Sequence, residues 1–197
     1  MSRNIARLSL LVLACLVRLE YAGAQEAPDA WYVRQSKPKN IASPRLFPGV
    51  GTIELPKKDW QLGPGHSGTV FSIVEKNRQS EGGALITLEF MRLSIPLDRD
   101  ALAGAGKMEL EEVQAGELSA TQFTSEEKKG EVGPFFLIQY TRPGLSGGTD
   151  HVVQYSMPVD TMMYRLVCVA PTAVLDNYRP IFAHVAASFK PVKPAGS

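Results

Sequence analysis

The residues best placed to do chemistry are Gly144-Leu145-Ser146-Gly147-Gly148. They match G-x-S-x-G, the turn that presents a nucleophilic serine between a strand and a helix in α/β-hydrolases. His66 and Asp100 lie upstream of Ser146, in the chain order of one serine-protease triad. Gly65-His66-Ser67-Gly68-Thr69 is a near miss, with Thr69 where the last glycine belongs. Such a serine needs a helix after it, so that backbone N–H groups can hold an oxyanion. Here His151–Met157 reads as a second strand, which makes Gly144–Gly148 a hairpin loop. A serine hydrolase using Ser146 is therefore an alternative reading, and no residue is assigned as catalytic.

Metal chemistry finds no purchase either. His66, His151 and His184 are the only histidines, and none stands at metal-ligand spacing from another ligand type. No metal and no cofactor are expected. Glu109, Glu111, Glu112 and Glu117 form an acidic stretch without the Asp-x-Asp-x-Asp-Gly calcium loop, so a solvated face is expected. Cys168 reads as a core residue. Recognition falls to the aromatics near the N-terminus. Trp31, Tyr32 and Phe47 could anchor a partner, because aromatic rings offer large contact areas at low entropy cost; packing on the chain's own domain is the other reading.

The elements that must carry these residues are mostly strands. Thr52–Leu55 and Ala84–Leu93 alternate with the period of a half-buried strand, and Thr69–Val74 reads as a strand from its apolar Val70, Phe71, Ile73 and Val74. Residues 98–114 have loose helical spacing at Leu102, Met108, Leu110 and Val113, weakened by Gly104 and Gly106. Ser119–Glu127, Phe135–Thr141, His151–Met157 and Met162–Ala170 follow as strands, with Lys128-Lys129-Gly130 as a turn. Short links between them imply antiparallel pairing. Tyr178, Ile181, Phe182, Val185 and Phe189 then mark one stripe of a closing helix, with Pro180 tolerable in its first turn. The fold class is α+β: an antiparallel sheet of about six to seven strands flanked by helices.

Composition and the N-terminus bound the setting. The chain has 197 residues, 44% hydrophobic and 21% charged, with a formal net charge of +1. That composition excludes disorder, and the near-neutral balance gives no basic footprint for nucleic acid. Residues 1–24 read as a signal peptide: Arg3 and Arg7, an apolar run from Leu8 to Val17, then Ala22-Gly23-Ala24 as the cleavage site. Val12-Leu13-Ala14-Cys15 offers a lipobox as the alternative, with lipid anchoring through Cys15. Removing Arg3, Arg7, Arg18 and Glu20 takes the net charge from +1 to −1. Residues 25–48 carry Pro28, Pro38, Pro44 and Pro48 and read as an extended arm. Residues 49–191 form one domain, and 192–197 a disordered tail. No transmembrane helix is expected in the mature chain, which is taken as a monomer.

A Gly51-Thr52-Ile53-Glu54-Leu55-Pro56 strand runs toward Trp60, a middle helix divides two hairpin sets, and Tyr164–Ala170 leads to a helix ending Ala187-Ser188-Phe189-Lys190. This order resembles the PsbP-like or Mog-type fold, an α/β/α sandwich, over residues 49–191. The resemblance implies an interaction or assembly protein more often than an enzyme. The expectation is an exported periplasmic or extracellular protein that binds an unidentified envelope protein or complex. A small-ligand-binding periplasmic protein is the alternative beside the hydrolase. No functional residue is carried over from the resemblance.

Overall fold

The structure, a computed structural model, describes residues 41–192 apart from 66–67, 77–82, 94–98, 132 and 145–146. Residues 1–40, with the expected export signal, Cys15, Trp31 and Tyr32, lie outside the described residues, as do His66, Ser67, Ser146 and residues 193–197.

Among the described residues, two antiparallel sheets and two α-helices make up the fold. β1 (Arg45–Phe47), β2 (Gly51–Ile53) and β10 (Lys190–Pro191) form a small sheet in the order β1-β2-β10. β3 (Trp60–Pro64), β4 (Thr69–Glu75), β5 (Leu85–Arg92), β6 (Thr121–Gly130), β7 (Gly133–Pro143), β8 (Thr149–Val159) and β9 (Met162–Pro171) form the main sheet. Its order is β3-β4-β5-β9-β8-β7-β6, antiparallel throughout. Helix α1 (Arg99–Gly116) is inserted between β5 and β6, and α2 (Leu175–Ser188) follows β9.

The period-two pattern of β9 divides the interior. Tyr164, Leu166, Cys168 and Ala170 face one way, with Ile86 and Leu88 of β5, Phe71 and Ile73 of β4, and Val153 and Tyr155 of β8. Helix α2 closes this side with Phe182 and Val185, both fully buried. Phe189 just beyond it sets its ring on Tyr164 at 4.8 Å. Burial of that site raises the Tyr164 phenol to about 12. Ile53 and Leu55 bring the small sheet against the same core. On the opposite face Ile138, Tyr140, Val152 and Val169 form a second core, against which Leu110 and Val113 of α1 pack. The two helices thus cover opposite faces, which gives the α/β/α layering its physical reason: both sides of the sheet are apolar.

Several local readings need correction. Trp60 opens a strand after a turn at Asp59 (φ 63°). Residues 41–48 were assigned to the arm, yet Ile41 bridges Pro56 and Arg45–Phe47 pair with β2. Lys128-Lys129-Gly130 continue β6 rather than turn, because β7 starts at Gly133 and pairs back through Gly130. Pro180 stands in the second turn of α2 and removes the donor for the carbonyl of Asp176. Asp176 is exposed, so water can serve that carbonyl.

Gly104 and Gly106 look alike in sequence and differ in place. A Cβ on Gly106 would meet the buried Phe136 ring at 2.6 Å, whereas one on Gly104 would meet nothing within 4 Å. Gly106 lets α1 approach the sheet closely; Gly104 only loosens the helix. Gly104→Ala should therefore stabilise the protein by up to about 1 kcal/mol, and Gly106→Ala should destabilise it. Urea unfolding of both variants measures the two signs.

Candidate functional site

The densest set of chemically capable side chains lies between α1 and the main sheet. Glu109 and Glu112, one helical turn apart, point from α1 toward the face that carries Gln154 and Ser156 of β8 and Arg165 of β9. Strand alternation puts Gln154 and Ser156 on one face, and register sets Ser156 opposite Arg165. Glu89 of β5 stands opposite Arg165 on its other side.

Glu109 is the hub, with only 5% of its surface exposed. Arg165 grips it in a fork, Nε to Oε2 at 2.9 Å and Nη2 to Oε1 at 2.5 Å. Ser156 Oγ donates to Oε2 at 3.0 Å, and Gln154 Nε2 donates to the same oxygen at 3.3 Å and to Ser156 Oγ at 2.8 Å. Arg165 also reaches Glu112, Nη2 to Oε2 at 2.7 Å. Fork-to-carboxylate bonds of this kind are both strong and directional. Burial works against the charge of Arg165, but the hydrogen bonds and charge of Glu109, then Glu112, outweigh it and raise its pKa.

The cluster converges more than one carboxylate on this guanidinium, and Glu89 responds. Its carboxyl is raised above its ordinary 4.5, first by burial, against the pull of Arg165, with Glu109 and Glu112 adding repulsion.

This arrangement suits clamping better than turnover. Ser156 is fully buried, and the carboxylate that takes its hydrogen bond is already held by Arg165. A nucleophile needs a base free to accept its proton and room for a substrate. The acidic stretch expected to be solvated is therefore divided. Glu109 is buried in the clamp and Glu112 is drawn to Arg165, while Glu111 stays on the exposed side with Lys107 at 3.7 Å. Glu117 is also engaged: Arg142 bonds to it, and Tyr140 Oη donates to it at 3.2 Å. Burial, and then Glu117, push the Tyr140 phenol up. Sequence reading missed Gln154, Ser156 and Arg165 as a unit. The available signal was polar residues at i and i+2 in an otherwise buried strand, facing a helical Glu-x-x-Glu.

The other singled-out residues are dispersed. Phe47 is half-buried and stacks on Phe71 at 4.7 Å, so its ring serves the fold. Arg45 lies 5.7 Å from the same ring. Cys168 is fully buried on the α2 side, and burial raises its thiol pKa. His151 Nε2 lies 3.3 Å from Gln139 Oε1, and burial, then Arg179, lower its pKa. His184 Nε2 lies 2.8 Å from Glu54 Oε2. Asp100 is in the first turn of α1. Either side of Ser146 the chain runs from β7 to β8, strand to strand, with Gly147 and Gly148 at positive φ and Gly144 N–H bonded to Gly148 O at 3.1 Å. That frame is a hairpin, not the strand-to-helix turn of an α/β-hydrolase nucleophile.

Two predictions follow from the clamp. Arg165→Met leaves the buried Glu109 carboxylate without its cation and should cost about 3 kcal/mol or more, and Glu109→Gln should cost less, because Arg165 keeps Glu112. The double variant should recover part of that loss in a double-mutant cycle of urea unfolding. For Glu89, the raised pKa means that the protonated form suits the folded site. Its contribution is present below 4.5 and is lost as pH rises through the folded value. Glu89→Gln should thus raise the melting temperature relative to wild type at about pH 7, with the difference vanishing toward about pH 4.

Neither a protein-family model nor a curated protein matches the chain. Among solved structures, the cyanobacterial PsbP (CyanoP) of Synechocystis is similar, with a TM-score of 0.53 and 13% identity over 73% of this chain and 87% of that one. LpqN of Mycobacterium tuberculosis, a protein involved in cell envelope biogenesis, is similar with a TM-score of 0.51 and 15% identity over 83% of this chain and 95% of that one. Both likenesses concern the fold, and neither bears on the Mog half of the expected resemblance. The seven-stranded antiparallel sheet with helices on opposite faces, together with this likeness, makes the chain's fold PsbP-like and α+β.

Proposed function

We propose that this chain is an exported, non-catalytic binding or assembly protein acting on an envelope protein or complex. The observation that carries this reading is the closure of the clamp. Ser156, Gln154, Arg165 and Glu109 satisfy one another under α1, with Ser156 fully buried, so the richest polar cluster is occupied in holding the fold. Fold likeness to a protein of cell envelope biogenesis supports the setting. Residues 1–24 would direct export, with cleavage after Ala24, or lipid attachment at Cys15 in the alternative route. Trp31 and Tyr32 would be the first contacts with the partner. The body supplies a rigid platform for the arm, anchored where Ile41 bridges Pro56.

Affinity capture from native envelope extract tests this. Wild type should retain a reproducible partner, and Trp31→Ala/Tyr32→Ala or deletion of residues 25–40 should lose it while melting as wild type does. Retention of the same partner by both variants would refute the arm as the contact. Labelling of Ser146 by a fluorophosphonate would refute the non-catalytic reading.

A further inference from the structure

The main sheet ends on β6, and among the described residues no strand lies beyond it. From Thr124 to Gly130 the strand pairs with β7 without interruption, while a bulge between Thr121 and Thr124, with Gln122 at φ 58°, bends the part before it. Most side chains along β6 are exposed. A straight edge of this kind is a template for another strand unless its charges prevent it. The charges here come in blocks, Glu126-Glu127 then Lys128-Lys129. A parallel copy in register would set like charge on like. A reversed copy with its axis at Glu127 sets Glu126 against Lys128 on both sides of the axis.

We infer that β6 pairs antiparallel with β6 of a second copy of this chain, about a two-fold axis, joining two main sheets edge to edge. In such a pair a residue at the axis faces its own equivalent. With the axis at Glu127, Glu126 lies opposite Lys128 of the second copy, and Lys128 opposite Glu126 of the second copy. Lys128 and Glu126 already form an ion pair along one face of the strand. Pairing closes this into a ring of alternating charge. On the other face Glu127 meets its equivalent, with Lys129 of the second copy as diagonal neighbour, within reach of a long side chain. The contact is isologous and closes on itself, so it yields a dimer and not a fibre. An unrelated extended peptide would gain the same backbone bonds but lacks the reversed charge blocks. Self-pairing does not depend on the envelope partner proposed above.

Sedimentation velocity on the full mature chain tests it, with Glu126→Lys and Lys128→Glu as variants. Wild type should show a dimer that grows with protein concentration and shrinks between about 20 mM and about 500 mM salt. Each variant alone places like charges across the axis and should lose dimer at least tenfold. Mixed in equal amounts the two should form a heterodimer, detected by native mass spectrometry. Circular dichroism and melting confirm that both variants fold. A wild type that stays monomeric at every concentration, variants that dimerise as well as wild type, or a mixture that forms no heterodimer would each overturn the inference.

Discussion

The grip of Arg165 on Glu109 is the interaction on which the α1 side of the molecule depends. Among the described side chains of α1, Ala105, Leu110 and Val113 pack on the two cores, and Met108 points to solvent at 59% exposure. An isolated helix containing two interior glycines would be marginal. The fork from Arg165 fixes it at one height along β8 and β9, and Gly106 allows it to sit close enough for the fork to reach. A buried ion pair is a weak source of stability compared with an apolar replacement. Its directionality is what suits it here, because only one position of the helix satisfies Arg165, Gln154 and Ser156 together.

The two faces of the sheet use different physics for the same task. On the α2 side, attachment is apolar and continuous: Phe182, Val185 and Phe189 meet Tyr164, Leu166 and Cys168, and polar bonds such as Glu54 N–H to Ser188 Oγ at 2.9 Å tie the small sheet to the helix end. On the α1 side, a small apolar core surrounds a charged centre. The apolar face tolerates sliding in a way the charged one does not, since hydrophobic contact is not directional. Glu89 sits at the rim of this charged centre, where burial raises its carboxyl against the pull of Arg165 and the charges of Glu109 and Glu112 add to the rise.

Much of the fold was legible in the sequence because β5 and β9 alternate, β4, β7 and β8 are apolar runs bounded by turn residues, and α2 repeats at helical spacing. Cys168 was read correctly as core for the same reason: it falls on the apolar side of β9. The short strands β1, β3 and β10 were not legible, because two to five residues carry too little periodicity and tertiary pairing decides their state. The clamp was hidden for a different reason. Glu109 and Glu112 look like solvent residues on any helix, and only the placement of α1 over Arg165 makes one of them a buried hub. The parity of Gln154, Ser156 and Arg165 was readable, but the partner they face comes from 45 or more residues away in sequence.

Hydrogen exchange on Arg165→Met reports most directly on whether α1 is held by this charge pair. The account predicts that amides of Arg99–Gly116 lose protection while those of α2 and of β9 keep theirs, a local release of one helix. Unchanged protection in α1, or equal loss across both helices and the sheet, would contradict it.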